Sequence, residues 1–143
     1  MYKRQVNANL ALVALNKGNV KDAEAYMGKA SGADGFNEAN AALNIAKGSY
    51  QQAASAANGV KSNTAALAQI LNKDYAAAKS TLNGVANKDA YTSYLLAIVA
   101  ARTNDAAGVN TNLKDAVSKD SSLKSRAAKD LEFAEYKSSV ESL

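Results

Sequence analysis

The chain has 143 residues and a mass of 14.8 kDa, which is enough for one compact domain, expected over residues 1–143. Apolar residues make up 48% of it and charged residues 21%, as in globular chains that bury a core, and 17 Lys and Arg against 13 Asp and Glu leave a net charge of +4. The sequence contains no His and no Cys, so it lacks the commonest general base, the thiolate nucleophile and the usual zinc ligands.

Helix propensity dominates the whole sequence. There are 32 Ala residues, the best helix formers, and no Pro, the worst. The longest nearly uncharged stretch, residues 90–101, is too short to cross a bilayer, which takes about 20 apolar residues, so no membrane insertion is expected. The first residues are basic but no signal-peptide apolar region follows them. A helical pattern that starts almost at Met1 favours an excised piece of a longer protein.

Apolar residues recur at helical spacing, and short Gly, Asn, Asp and Ser clusters separate the periodic segments. Each cluster ends one helix and supplies the N-cap of the next, as at Asn19, Ser49, Asp74, Asp105 and Asp120. The pattern predicts nine helices, near 3–17, 20–31, 36–47, 50–58, 63–72, 75–84, 89–103, 105–118 and 121–138.

Four of the loops repeat one another. Aligning the phrases that begin at Asn16, Ala46, Leu71 and Arg102 superimposes Ala23, Ala53, Ala78 and Val109, which are 30, 25 and 31 residues apart. Self-similarity at this period is typical of a solenoid of helix hairpins, in which each hairpin buries its apolar face against the next.

These units resemble tetratricopeptide (TPR) repeats. The resemblance rests on small residues two turns before each loop, on a Tyr opening two of the second helices, and on later small or aliphatic residues: Ala11, Ala41, Ala66, Ala97; Tyr50, Tyr75; Ala30, Val60, Val85, Ala116. The units are shorter than usual and lack the customary Trp and Pro. The resemblance implies an all-α, right-handed α-α superhelix of about four short hairpins near 3–31, 36–58, 63–84 and 89–118.

A more charged helix over 121–138 is expected to cap the open end of the solenoid, with Leu123, Ala127, Leu131 and Ala134 facing inward. The run from Asp130 to Phe133 is similar to the closing helix of TPR-like proteins of bacterial cell envelopes. That similarity favours a bacterial cell-envelope or periplasmic source, while a cytoplasmic location stays open.

The sequence gives little support for catalysis, metal binding or nucleic-acid binding. Glu132 and Glu135 are helical neighbours, but such a pair on an exposed helix is typical of a solvated face, so no catalytic residue and no metal ligand is assigned. No phosphate-binding glycine loop follows a strand, and no cofactor is expected. Basic residues are spread over every helix beside acidic ones, which argues against nucleic acid as a partner.

The first helices of stacked hairpins line a concave groove, the surface with which such repeats bind peptides. Its predicted ligand-binding residues are Tyr91, Tyr94, Ile98 and Arg102 of the fourth unit, with Asn9 and Glu38 in the first two. Arg102 favours an acidic or carboxylate-bearing partner. The alternative for Tyr91 and Tyr94 is that they pack on the closing helix.

The sequence therefore predicts a monomeric, non-enzymatic module that binds a protein or peptide in the groove. A rigid spacer segment of a larger bacterial cell-envelope protein, with no ligand of its own, is the alternative. A carboxylate-dependent glycan hydrolase built on a helical toroid is a third possibility.

Overall fold

The computed structural model of the protein describes residues 2–143; Met1, the first residue of the predicted domain, lies outside them. Helices account for 71% of the chain, and no strand occurs among the described residues. The elements are α1 Tyr2–Asn16, α2 Val20–Met27, α3 Phe36–Ala46, α4 Tyr50–Ala56, α5 Asn63–Leu71, α6 Tyr75–Asn83, α7 Ala90–Arg102, α8 Ala106–Lys119, α9 Leu123–Lys129, a 3-10 turn Leu131–Phe133 and α10 Lys137–Glu141. None of these helices has the length and apolar composition needed to cross a lipid bilayer.

The first eight predicted helices are confirmed within a few residues at each end. The turns explain this agreement. At the same position of each repeat, just after the first helix, one residue has a left-handed backbone conformation: Gly18 (φ 73°), Gly48 (φ 74°), Lys73 (φ 63°) and Asn104 (φ 59°). In three of these turns the next N–H bonds to a carbonyl five residues back, at 2.8–2.9 Å, which closes a Schellman motif: Asn19 to Ala14, Ser49 to Asn44, and Asp105 to Ala100.

The prediction of one continuous capping helix over 121–138 is wrong. The helix breaks at Asp130, whose backbone is extended (ψ 122°) and whose side chain accepts a hydrogen bond from the Glu132 N–H. This local bond competes with the helical one and resets the helical register after α9. As a result Leu131 is 88% exposed instead of facing inward, Ala134 is exposed too, and Phe133 takes the buried place.

The chain divides into two compact units, Met1–Lys73 and Asp74–Leu143. The division falls inside the hairpin predicted over 63–84, so α5 belongs to the first unit and α6 to the second. In the first unit α1 packs on α2 and α3, and α5 packs on both α3 and α4. In the second unit α7 packs on α6 and α8.

Alanine forms most of the core of the first unit. One buried cluster joins α1, α2 and α3 through five alanines besides Leu43 and Met27: Ala8, Ala11, Ala14, Ala23 and Ala39, with Ala30 just after α2. A second, smaller cluster consists of Ala41, Ala57 and Ala65. Alanine at a helix crossing lets the two backbones approach closely, and larger side chains then lie to the sides.

Larger side chains fill the core of the second unit. One buried cluster contains Tyr94 of α7, Val109 and Leu113 of α8, Leu123 of α9 and Phe133 of the 3-10 turn. The C-terminal residues thus belong to the hydrophobic core of this unit, as expected of a cap, although by a different path of the chain.

Most of the residues that the repeat alignment superimposes are buried, although Val60 and Val85 are only half-buried. All eight of its aligned small residues on first and second helices are fully buried, at 0% exposure: Ala11, Ala41, Ala66, Ala97, Ala23, Ala53, Ala78 and Val109. The period read from the loops therefore identifies the packing positions in both units.

Ala53 and Ala76 provide a test of this packing. Ala53 is fully buried in α4 and Ala76 is exposed in α6. Ala53→Leu has no room for the added carbons and is expected to lower the free energy of unfolding by about 1–3 kcal/mol, whereas Ala76→Leu is expected to be near neutral. Urea denaturation followed by circular dichroism measures both, and equal effects would contradict the assigned register.

Candidate functional site

The predicted binding residues lie in both units, and each set has its own surroundings. Asn9 and Glu38 belong to the first unit, while Tyr91, Tyr94, Ile98 and Arg102 belong to the second.

In the first unit the first helices of the repeats line a groove of about 330 Å³, here called the α1–α3 groove. Two of its ten lining residues, Asn9 and Glu38, are predicted binding residues. The other eight are Gln5, Ala8, Leu12, Asp34, Gly35, Ala39, Ala42 and Thr64. The structure therefore brings Asn9 and Glu38 together on one surface, next to groups that the helical stripe alone did not reveal.

Both polar and apolar side chains line this groove. The Gln5 side-chain amide donates a hydrogen bond to the Asn9 carbonyl oxygen, at 3.3 Å, and both amides keep further donors and acceptors. Leu12 is 41% exposed on the same face. Glu38 lies in the first turn of α3, where the helix dipole favours a carboxylate.

The loop before α3 supplies the second carboxylate, that of Asp34. Gly32 (φ 84°) and Gly35 (φ 73°) both adopt left-handed backbone conformations, and the Arg4 guanidinium lies close to Gly32. Asp34 borders the groove and two neighbouring depressions. The position of Asp34 could have been inferred from the Gly32-to-Gly35 loop in the sequence. This loop comes directly before α3 and is so short that Asp34 must lie about one helical turn from Glu38.

None of the ten residues that line the groove is basic, and two are acidic. Amide donors and acceptors, a partly exposed leucine and two carboxylates form a surface that can accept hydrogen bonds from an extended peptide and attract its positive charges.

In the second unit the prediction that Tyr94 is an exposed groove residue is wrong. Its side chain is fully buried, its hydroxyl donates a hydrogen bond to the Asp130 carboxylate at 2.6 Å, and its ring meets Phe133 edge to face at 5.5 Å. Burial, together with the bond to Asp130, raises the pKa of the Tyr94 hydroxyl. The alternative, that Tyr94 packs on the closing segment, is confirmed.

Arg102 is exposed but already engaged within its own unit. Its guanidinium binds Glu132 through two hydrogen bonds of 2.5 and 2.7 Å, and this bidentate pairing raises the pKa of Arg102. Four residues after Glu132, the Tyr136 hydroxyl donates a hydrogen bond to the Ala101 backbone carbonyl at 3.2 Å. The acidic group that the sequence led us to expect from a partner comes instead from residues 130–136 of this chain.

Tyr91 and Ile98, the remaining members of the predicted stripe, are half-buried against the same core cluster. The Arg126 guanidinium lies 5.8 Å from the centre of the Tyr91 ring and 5.0 Å from that of Tyr94. Residues 130–136 and α9 thus use the predicted stripe of α7 for internal packing.

A polar contact also joins the two helices of the α7–α8 hairpin. The buried Ser93 hydroxyl donates to the Asp115 carboxylate, which also accepts from the Lys119 ammonium at 2.8 Å. The Lys119 bond is the larger cause, and the Ser93 bond the second, of a lowered pKa at Asp115.

Within residues 2–143 no three acidic side chains come together as a possible metal site. The chain matches no protein-family model, no curated protein and no solved structure. Its function is therefore inferred from the surfaces described above.

Substitution of Tyr94 and of Arg102 should separate core from surface. Tyr94→Ala empties a buried site and is expected to cost about 3–5 kcal/mol of unfolding free energy, while Arg102→Ala breaks a partly exposed pair and should cost about 1 kcal/mol. Thermal and urea unfolding monitor both variants. If Arg102→Ala proves as damaging as Tyr94→Ala, Glu132 contributes far more to holding the C-terminal segment than its exposure implies.

The lowered pKa of Asp115 predicts an acid-sensitive contribution to stability. The folded state binds this proton more weakly than the unfolded chain, whose Asp titrates near pH ~3.9, so the contribution is present above that pH and is lost as the pH falls through the folded-state pKa. Because the side chain is 48% exposed, the effect should be below about 1 kcal/mol. Comparing urea midpoints at pH 6 and pH 3 should show a smaller acid loss in Asp115→Asn and in Lys119→Gln than in the parent chain.

Proposed function

We propose that the protein is a non-enzymatic interaction module whose first unit binds an extended segment of a partner protein in the α1–α3 groove. The observation that carries this proposal is the meeting of Asn9, Leu12 and Glu38 on one surface without a role in the buried cluster of that unit. Binding sites usually consist of side chains that line a groove and do not contribute to the hydrophobic core.

The charges of the groove favour a basic or donor-rich peptide. Asp34 and Glu38 line it, and no cation among the lining residues offsets them. Arg102, which suggested an acidic partner, is paired with Glu132. A peptide with Lys or Arg side chains would gain charge-assisted hydrogen bonds from the carboxylates, while its backbone would pair with the amides of Gln5 and Asn9.

The repeated turn and the buried alanines support a TPR-like origin for this groove. In a TPR-like stack the first helices of successive hairpins share one face, and in the first unit α1 and α3 supply seven of the ten lining residues. We propose as well that the four hairpins form a TPR-like superhelix and that the protein comes from a bacterial cell envelope.

The second unit offers a specific argument for the alternative function of rigid spacer. Its stripe on α7 is filled by residues 130–136, so this unit has used its groove residues for its own stability. A module with one binding unit and one spacing unit satisfies both observations.

Peptide selection tests the proposal directly. Random 12-residue peptides displayed on phage are selected against the intact protein, and the selected sequences, synthesised with a fluorescent label, are titrated by anisotropy. We expect enrichment of Lys and Arg and a loss of affinity of about tenfold or more in Glu38→Gln, with an unchanged melting temperature.

Glu24→Gln is the matched control, because Glu24 is an exposed glutamate of the same unit that pairs with Lys47 outside the groove. Its affinity for the selected peptides should equal that of the parent chain. Selected peptides that bind Glu38→Gln and Leu12→Ala as tightly as the parent would rule out the groove, and a selection without binders would favour the spacer.

A further inference from the structure

The outer face of α1 carries an exposed apolar stripe that joins no buried cluster among residues 2–143. Tyr2, Val6, Leu10 and Val13 are 83%, 37%, 38% and 48% exposed, and their spacing places them on one side of the helix. The buried Ala8, Ala11 and Ala14 lie on the opposite side. Here this set of four residues is called the outer α1 face; it is separate from the α1–α3 groove, which Leu12 borders.

The repeat register indicates what such a face contacts. The 30-residue offset between the first two repeats aligns Val6 with Phe36 and Val13 with Leu43. In α3 these two residues pack into the alanine-rich cluster of the preceding hairpin, and Leu43 is only 6% exposed. The same positions that receive a helical surface on α3 are therefore open to solvent on α1.

The charge of α1 indicates which kind of partner surface can pack on the outer α1 face. Between Tyr2 and Asn16 the helix contains Lys3 and Arg4 and no carboxylate, and Lys17 follows directly. Pairing two copies through this face would bring only positive charges together. A head-to-tail copy is disfavoured as well, because the last hairpin already packs its Val109 and Leu113 against Leu123 of α9.

We propose that the outer α1 face binds an amphipathic helix of a partner protein, with an aliphatic and alanine stripe edged by Asp or Glu. Three of the four apolar side chains are less than half exposed, so the face is far smaller than the ~800 Å² that each partner buries in a standard globular interface. A single helix can cover it, with the apolar stripes packed together and the carboxylates near Lys3 and Lys17. This interaction is independent of the α1–α3 groove.

The experiment uses the intact protein and a labelled synthetic helix of 18 residues, with Leu and Ala on one face and Glu along both edges. A scrambled peptide of the same composition and a peptide with Lys in place of Glu are the comparison probes, and vesicles of phosphatidylcholine with phosphatidylglycerol test a membrane surface instead. We expect anisotropy to detect binding of the acidic helix alone, weakened by added salt.

Leu10→Ser should reduce this binding at least tenfold, and Leu12→Ser is the matched control. The two leucines are nearly adjacent, 38% and 41% exposed, and lie on different faces of α1. Val13→Thr, which keeps the shape of the side chain, provides a second test if Leu10→Ser fails to fold, and it should weaken binding as well. Glu38→Gln should leave binding of the helix unchanged, so the failure of this proposal is distinguishable from failure of the groove.

Equal losses in Leu10→Ser and Leu12→Ser would overturn the proposal, as would tight binding of the scrambled or lysine peptide. It would also be overturned if the acidic helix did not bind, if the protein bound anionic vesicles in its place, or if sedimentation showed a dimer that Leu10→Ser dissociates.

Discussion

The fold depends on the close approach of helix backbones at alanine. Of the 28 buried apolar residues among 2–143, 17 are alanine, and the aligned repeat positions on first and second helices are fully buried. A buried methyl group removes little area from water, so each crossing contributes modestly and many must act together. A left-handed residue follows the first helix at the same position of every repeat, and at Lys73 and Asn104 a residue other than glycine adopts this conformation.

The two units meet this constraint in different ways. Among residues 2–73 of the first unit, only Met27, Leu43 and Ile70 are larger buried apolar residues, and several aliphatic side chains of α1 are exposed. In the second unit Tyr94 and Phe133 anchor a larger core, and the acidic side chains of the C-terminal segment bind Arg102 and the Tyr94 hydroxyl. The first unit consequently leaves polar and aliphatic side chains on its surface, to which we assign partner binding in our proposal, whereas the second packs its predicted binding residues internally.

The backbone conformation at Asp130 determines which C-terminal side chains enter the core of the second unit. Had the helix continued past it, Leu131 would have reached the core and Phe133 the solvent. The bond from the Glu132 N–H to the Asp130 side chain redirects the chain, so that Phe133 meets Tyr94 and Glu132 meets Arg102. One local hydrogen bond thereby converts a stripe that resembled a binding surface into an internal contact.

The sequence by itself determined the first eight helices, their turns and many of the buried alanines, because helix propensity, capping and hydrophobic period act within a few residues. It also placed Asn9 and Glu38 on a common face through the repeat register. Only the tertiary structure decided that Tyr94 is buried, that Arg102 is paired, and that Thr64 joins the groove. Each of these depends on groups distant in the chain, 36 residues apart for Tyr94 and Asp130 and 30 for Arg102 and Glu132, and a helical pattern shows which residues share a face but not what covers it.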